Sequence, residues 1–284
     1  MAIFSNQATL TYNGNTTNSN IAYGEILDVL AATKTVVEGS YTPGETLTYV
    51  VTLRNTGNAP LTALTVTDDL GGYAFNGTTV YPLTYVAGSA ALFVDGVPQG
   101  APAVTAGPPL VFNNITVPAG GDAVLVYQAQ ANEFAVPAAG GVITNTVTIT
   151  GDGLSAPVTA TETVDAAVGP ELAITKSITP AQVVDNDRVT YTFVIQNTGN
   201  EAVDATDNAA ITDQFDPILT ALTVTFNGAA WTEGTQYTYN AGTGLFTTQP
   251  VQITVPAATY TQDPVTGAYT VTPGVATLVV TGTI

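Results

Sequence analysis

Residues 41–58 read Tyr41-Thr42-Pro43-Gly44-Glu45-Thr46-Leu47-Thr48-Tyr49-Val50-Val51-Thr52-Leu53-Arg54-Asn55-Thr56-Gly57-Asn58. Residues 187–200 read Asp187-Arg188-Val189-Thr190-Tyr191-Thr192-Phe193-Val194-Ile195-Gln196-Asn197-Thr198-Gly199-Asn200. In the first, Leu47, Tyr49, Val51 and Leu53 recur every second residue; in the second, Val189, Tyr191, Phe193 and Ile195 do. A period of two is that of a strand with one core face and one wetter face. Each run ends in Asn-Thr-Gly-Asn, which reads as a turn with Gly or Asn available for positive φ.

Moving outward, the two runs are matching parts of one internal repeat. Leu30-Ala-Ala-Thr-Lys34 precedes the first and Leu172-Ala-Ile-Thr-Lys176 the second. Val66-Thr67-Asp68 and Ile211-Thr212-Asp213 follow, and Ile-Thr-Val-Pro recurs at 115–118 and 253–256. Long helical periodicity is missing. The sequence therefore predicts an all-β chain of two tandem immunoglobulin-like β-sandwiches, over 29–165 and 171–284, joined by a short proline-containing linker. An insertion over 259–272 in the second copy reads as an added hairpin.

The first copy closes with Ile143-Thr-Asn145-Thr-Val-Thr-Ile149, followed by a second short strand over 156–164. The second copy stops at a strand over 275–284 that matches 122–129. A segment like the closing one stands instead at the front, as Asn6-Gln-Ala8-Thr-Leu10-Thr-Tyr12, with a turn at Asn13-Gly14. Residues 1–28 thus read as a donor-strand arm that completes the second sandwich of a neighbouring subunit, with Ala8, Leu10 and Tyr12 filling its core. The plainer alternative is an arm folded back or disordered. Closure within one chain would require the arm to cross about 40 Å.

Composition narrows the function. Four Lys and Arg stand against 22 Asp and Glu, a formal charge of −18, in 284 residues. Phosphate contacts need basic groups, so nucleic acid and anionic membranes are poor partners. Cys and His are both absent, which excludes disulfides and thiolate or imidazole chemistry. No apolar run is long enough to span a membrane, and the N-terminus does not read as a secretory leader. No cofactor or metal is expected. Asp68-Asp69 and Asp213 with Asp216 are oxygen-rich but lack regular calcium-ligand spacing.

The string Lys34, Pro-Gly-Glu-Thr-Leu-Thr-Tyr, Asn-Thr-Gly-Asn, Val-Thr-Asp, Val-Pro-Ala-Gly and Ile-Thr-Asn-Thr-Val resembles the bacterial and archaeal surface repeat known as domain of unknown function 11. The resemblance covers 30–164 well. Over 172–284 it is looser, with Asn186-Asp187 in place of Pro-Gly and no final strand. It implies immunoglobulin-like stalk repeats at a cell surface and no enzyme activity.

Only two lysines occur, Lys34 and Lys176, at equivalent places on the first strand of each copy. Asp68 and Asp213 are likewise equivalent, with Asp69 and Asp216 as unaligned rivals. Asn145 lies on the first copy's closing strand, and its counterpart for the second copy is Asn6. Lys, Asn and a protonated carboxyl together can form an isopeptide bond without outside help. The expected pairs are Lys34 with Asn145 inside the subunit and Lys176 with Asn6 between subunits, assisted by Asp68 and Asp213. The expected geometry places the acid on the sheet opposite both Lys and Asn. This constellation is similar to that of self-crosslinked Gram-positive pilin domains. The alternative is a buried Lys–Asp ion pair with Asn as a hydrogen-bond partner. Arg54 and Arg188 do not align and read as surface salt bridges.

The expected function is a structural subunit of an extracellular, cell-surface or spore-surface appendage, whose expected partners are copies of itself and a host or environmental surface. The alternative is a non-polymerising adhesive or stalk module. An enzyme is disfavoured, since neither His, Cys nor a convergent acid pair is available.

Overall fold

A computed structural model describes residues 2–26 and 28–284. Its only helical element among the described residues is a single 3-10 turn, Ala205–Asp207. The chain divides into two compact units, Met1–Val136 with Gly141–Ala166, and Pro137–Gly140 with Ala167–Ile284.

The N-terminal segment is one β-ribbon made of β1 (Ala2–Asn6), β2 (Thr9–Tyr12), β3 (Asn15–Asn18) and β4 (Ala22–Ile26). β1 pairs antiparallel with β4, setting Phe4 opposite Gly24 and Asn6 opposite Ala22. β2 pairs with β3 around the turn at Asn13-Gly14, where both residues take positive φ. Ser19 joins the two halves: its amide donates to the Ala8 carbonyl, and its hydroxyl accepts from the Ala8 amide. The Asn-Gly pair suits a two-residue hairpin, whose turn needs left-handed backbone. The segment expected as an arm is therefore folded back on itself as a hairpin.

The first unit continues through β5 (Leu30–Val36), β6 (Ser40–Tyr41), β7 (Thr46–Asn55), β8 (Leu61–Asp68), β9 (Tyr73–Phe75), β10 (Thr78–Val80) and β11 (Leu83–Tyr85). Then come β12 (Ala91–Val94), β13 (Val97–Pro98), β14 (Ala103–Thr105), β15 (Leu110–Val117), β16 (Asp122–Ala131), β17 (Val142–Thr150) and β18 (Val158–Ala166). One sheet has the order β13-β12-β16-β7-β5, with β11 also on β16; the other runs β14-β15-β8-β17-β18-β6. Leu47, Tyr49, Val51 and Leu53 of β7 bury in one cluster with Val66 of β8 and Val147 of β17. The core thus lies between the two sheets, and the alternation read from the sequence is the alternation of burial.

The second unit contains β19 (Leu172–Thr179), β20 (Arg188–Asn197), β21 (Thr212–Gln214), β22 (Thr220–Phe226), β23 (Ala229–Trp231), β24 (Tyr237–Asn240), β25 (Leu245–Thr248), β26 (Thr259–Gln262), β27 (Tyr269–Thr272) and β28 (Gly274–Thr283). Its larger sheet, β19-β20-β28-β22-β23, repeats the β5-β7-β16 order of the first unit. Its smaller sheet is β21-β25-β24. β21 carries Asp213, so it corresponds to β8. The flank of β8 holds β17 and β18, whereas among the described residues no strand pairs with that flank of β21. The insertion at 259–272 forms the β26–β27 hairpin.

The repeated Asn-Thr-Gly-Asn works differently from expectation. Neither Asn55 nor Gly57, nor Asn197 nor Gly199, has positive φ. Instead Asn55 and Asn197 are fully buried and pin the turn with their carboxamides. Asn55 Oδ1 accepts from the Gly57 amide at 2.9 Å, and its Nδ2 donates to the Ala59 carbonyl at 2.8 Å. Asn197 repeats both bonds with Gly199 and Glu201. Gly199 is required because a Cβ there would strike the backbone of Gly169 and Glu171. The motif is an Asx turn with a close approach, not a left-handed one.

Candidate functional site

Six polar residues are buried among the described ones: Lys34, Asn55, Asp68, Asn145, Asn197 and Thr248. Asn55 and Asn197 hold turns, and the Thr248 hydroxyl accepts from the Ile211 amide. The remaining three, Lys34, Asp68 and Asn145, are the residues singled out by the sequence for the first unit.

Lys34 points inward from β5 because its neighbours two and four residues away, Ala32 and Leu30, face the core. Its Nζ donates to Asp68 Oδ2 at 2.6 Å, with both side chains fully buried. The ammonium also lies 4.8 Å from the centroid of the Tyr49 ring, a favourable cation–π distance. Burial pushes the Lys34 pKa below the ordinary lysine value, and the neighbouring Asp68 carboxylate opposes that shift. Asp68 accepts two further hydrogen bonds, from the Leu70 amide at 2.7 Å and from the Tyr127 hydroxyl. Burial raises both phenols, Tyr49 and Tyr127, above the usual tyrosine value.

Asn145 stands on β17, the strand beside β8. Val147 is paired with Asp68, so Asn145, two residues away, is on the same face as Asp68 and diagonal to it. Diagonal neighbours sit about 7 Å apart. Acid and amide therefore share one sheet, and only the lysine comes from the other. This corrects the expected placement of the acid. β5 cannot pair with β17 because β17 is already flanked by β8 and β18.

The Asn145 carboxamide is fully buried, yet neither its oxygen nor its nitrogen makes a hydrogen bond. It lies close enough to the two phenols to influence their ionisation without reaching hydrogen-bond geometry. A buried polar atom without a partner costs about 1–3 kcal/mol, and native proteins keep few of them. The buried Lys34–Asp68 ion pair of the alternative reading is formed, but Asn145 does not hydrogen-bond to it.

Asp69 does not meet Lys34. Its carboxylate accepts from the Thr146 and Gly71 amides and fixes the end of β8.

In the second unit Lys176 Nζ donates to Asp213 Oδ2 at 2.5 Å. It faces the rings of Tyr191, Phe215 and Phe193 at 4.6, 5.3 and 5.4 Å. The lysine side chain is 39 % exposed and the aspartate 18 %. Val280 occupies the place of Tyr127, and nothing among the described residues stands where β17 and Asn145 stand. Asn6 is on β1, opposite Ala22 of the ribbon. Leu10 and Tyr12 are exposed, as is Phe4; Ala8 is exposed as well.

The sequence reading missed the two tyrosines of the first site and the backbone donor at Leu70. Tyr127 could have been found: Ala123, Leu125, Tyr127 and Ala129 alternate on β16, and all four are buried. Arg54 forms the surface pair expected of it, with Asp122 at 3.8 Å. Among the described residues no group of three or more His, Cys, Asp or Glu converges as a metal site. No helix among them is long and apolar enough to cross a membrane.

No family model matches the chain, and no curated protein does. The resemblance to the surface repeat therefore rests on its motif string alone. Among solved structures, the N-terminal domain of a Streptococcus gordonii adhesin is similar at 16 % identity and TM-score 0.38, over 54 % of this chain and 36 % of that one. The pilus backbone of Streptococcus pneumoniae matches at 13 % identity and TM-score 0.35, over 86 % and 55 %. A 35 kDa C-terminal fragment of the major pilin of Streptococcus agalactiae matches at 14 % identity and TM-score 0.36, over 88 % and 80 %. At these scores the likeness carries no functional assignment.

Proposed function

We propose that the protein is a structural, non-enzymatic subunit of an extracellular fibre, joined head to tail and locked by lysine–asparagine amide bonds. The observation that carries this reading is the contrast between the two Lys–Asp pairs. The first is sealed beneath β17 and β18, beside an unpartnered Asn; the second is open on the flank where those strands would lie. The N-terminal ribbon has the matching pattern, with Asn6 two residues from Ala8 as Asn145 is from Val147. Each subunit then has one donor and one acceptor. Such a heterologous contact does not close, so it propagates.

The chemistry needs only the residues present. The Lys34 ammonium passes a proton to Asp68 within the ion pair. The neutral amine attacks Cγ of Asn145, and the Asp68 carboxyl polarises the carbonyl. As the new Cγ–Nζ bond forms, the Cγ–Nδ2 bond breaks. The carboxyl hands its proton to the leaving nitrogen and takes one from the attacking nitrogen, and ammonia departs. Lys176, Asn6 of the next subunit and Asp213 would repeat these steps in the fibre.

Intact-mass measurement tests the internal bond. The purified chain should be lighter than its sequence mass by about 17 Da, one ammonia, and Lys34→Ala should return to its full calculated mass. Fibres boiled in detergent should run as a ladder, and Asn6→Ala fibres should collapse to single chains of 29.0 kDa. A full-mass wild type would overturn the internal bond, and wild-type fibres that boil down to single chains would overturn the bond between subunits.

A further inference from the structure

We propose that the donated element is the whole two-stranded ribbon and that its second half, residues 15–26, seats on the outer strand β19 of a second copy of this chain. The inference rests on the head-to-tail reading above and deepens it, because that reading takes residues 1–28 as the donated arm but assigns no seat to the arm's second half.

The first unit supplies the template. β18 does not pair with β5 but lies close against it. Under that cover the inward positions of β5, Leu30 and Lys34, are buried. The same positions on β19 are Leu172, Ile174, Lys176 and Ile178. Every residue of β19 is exposed, with Leu172 at 45 %, Ile174 at 53 % and Ile178 at 40 %. A single strand beside β21 fills the place of β17 and still leaves β19 uncovered. Two strands are needed.

The ribbon fits that requirement. Phe4, Asn6, Ala8 and Leu10 match the core-facing series Ile143, Asn145, Val147 and Ile149. Cross-strand partners share a face, so Gly24 and Ala22, opposite Phe4 and Asn6, face the same way. They stand where Val164 and Glu162 stand opposite Ile143 and Asn145 in the first unit. The large Phe4 ring lies over Gly24, leaving no room for a Cβ there. Ile143 with Val164 is thus exchanged for Phe4 with Gly24, a large residue over none, which keeps the layer filled. A lone two-stranded ribbon is marginal in water, and this one leaves Leu10 and Phe4 exposed. Covering both surfaces at once removes apolar area from water on each side.

The chain has no cysteine, so one introduced thiol is a unique probe. Ile174→Cys in the full chain should react readily with a maleimide in unassembled protein and at least tenfold more slowly in assembled fibres. Val265→Cys, on the β26–β27 hairpin at 83 % exposure, serves as the control and should label equally in both states. Fibres in which Ile174→Cys labels as fast as the control would overturn the two-strand seat while leaving single-strand exchange intact. Protection of Ile174→Cys in a chain that stays monomeric would overturn the second copy as the occupant and assign the seat to the chain's own ribbon. Absence of any fibre, with the thiol reactive, would overturn both this inference and the reading beneath it.

Discussion

The two halves of this molecule present the same lysine–aspartate pair in two solvents. Lys34 and Asp68 touch at 2.6 Å in a dry core, and Lys176 and Asp213 touch at 2.5 Å at a surface open on one flank. Strand order, alternation and the Asx turns are shared. What differs is the two strands, β17 and β18, that lie over the first pair. A buried ion pair stands or falls with its partners, whereas an exposed one is worth about 0–1 kcal/mol. One arrangement thus behaves as a fixed core element and the other as a partly solvated pair.

The strongest way to break this comparison is to remove the acid from each half. Asp68→Ala leaves a buried lysine without its counter-charge and removes the acid that the proposed amide bond requires. We expect a loss of at least about 3–5 kcal/mol in the first unit, read as a lower thermal midpoint, together with the full sequence mass. Asp213→Ala in the unassembled chain should cost less than about 1 kcal/mol, since water can solvate Lys176. Equal losses from the two substitutions would mean that the halves are not differently covered.

Asn145→Ala sharpens the first half by the sign of its effect. If Asn145 is linked to Lys34, the bond closes a loop of roughly a hundred residues, and losing it should cost about 4–5 kcal/mol. If Asn145 is an unlinked, unpartnered amide, removing it deletes an uncompensated polar group and should be neutral or stabilising. Denaturant unfolding of the full chain separates the two outcomes.

A smaller effect comes from pH, measured in the Asn145→Ala chain so that no link intervenes. Burial holds the folded pKa of Lys34 below the ordinary 10.5. Between those two values the unfolded chain binds more protons, so stability should rise with pH across that window. Tyr49 and Tyr127 have folded values above the ordinary 10.0. Above that pH the folded state binds more protons, and stability should fall as pH rises further. The profile should climb toward about pH 10 and then turn down, whereas Lys34→Met on the same background should lose the climb and keep the fall.

Much of this was legible in the sequence for a simple reason: a strand half-buried on one face writes its burial into every second residue. Leu47 to Leu53 and Val189 to Ile195 gave the strands, and the equivalence of Lys34 with Lys176 and of Asp68 with Asp213 gave the pairs. The Asn-Thr-Gly-Asn turn was placed correctly and explained wrongly, because φ values are set by hydrogen bonds from Asn55 and Asn197 that a local string does not display. The sheet on which the acid lies was also misplaced, since strand spacing says nothing about which strand already occupies an edge.

The sequence by itself determined the repeat, the all-β class, the near-absence of lysine and the places where the two lysines were kept, because these follow from local period and residue type. Tertiary structure alone decided which pair is dry and which is wet. It also decided that Asn145 is buried without a hydrogen bond, that Tyr127 reaches Asp68, and that residues 2–26 fold as a two-stranded ribbon. Those properties depend on which strands lie side by side, and solvent exclusion is a property of the assembled layers, not of any one strand.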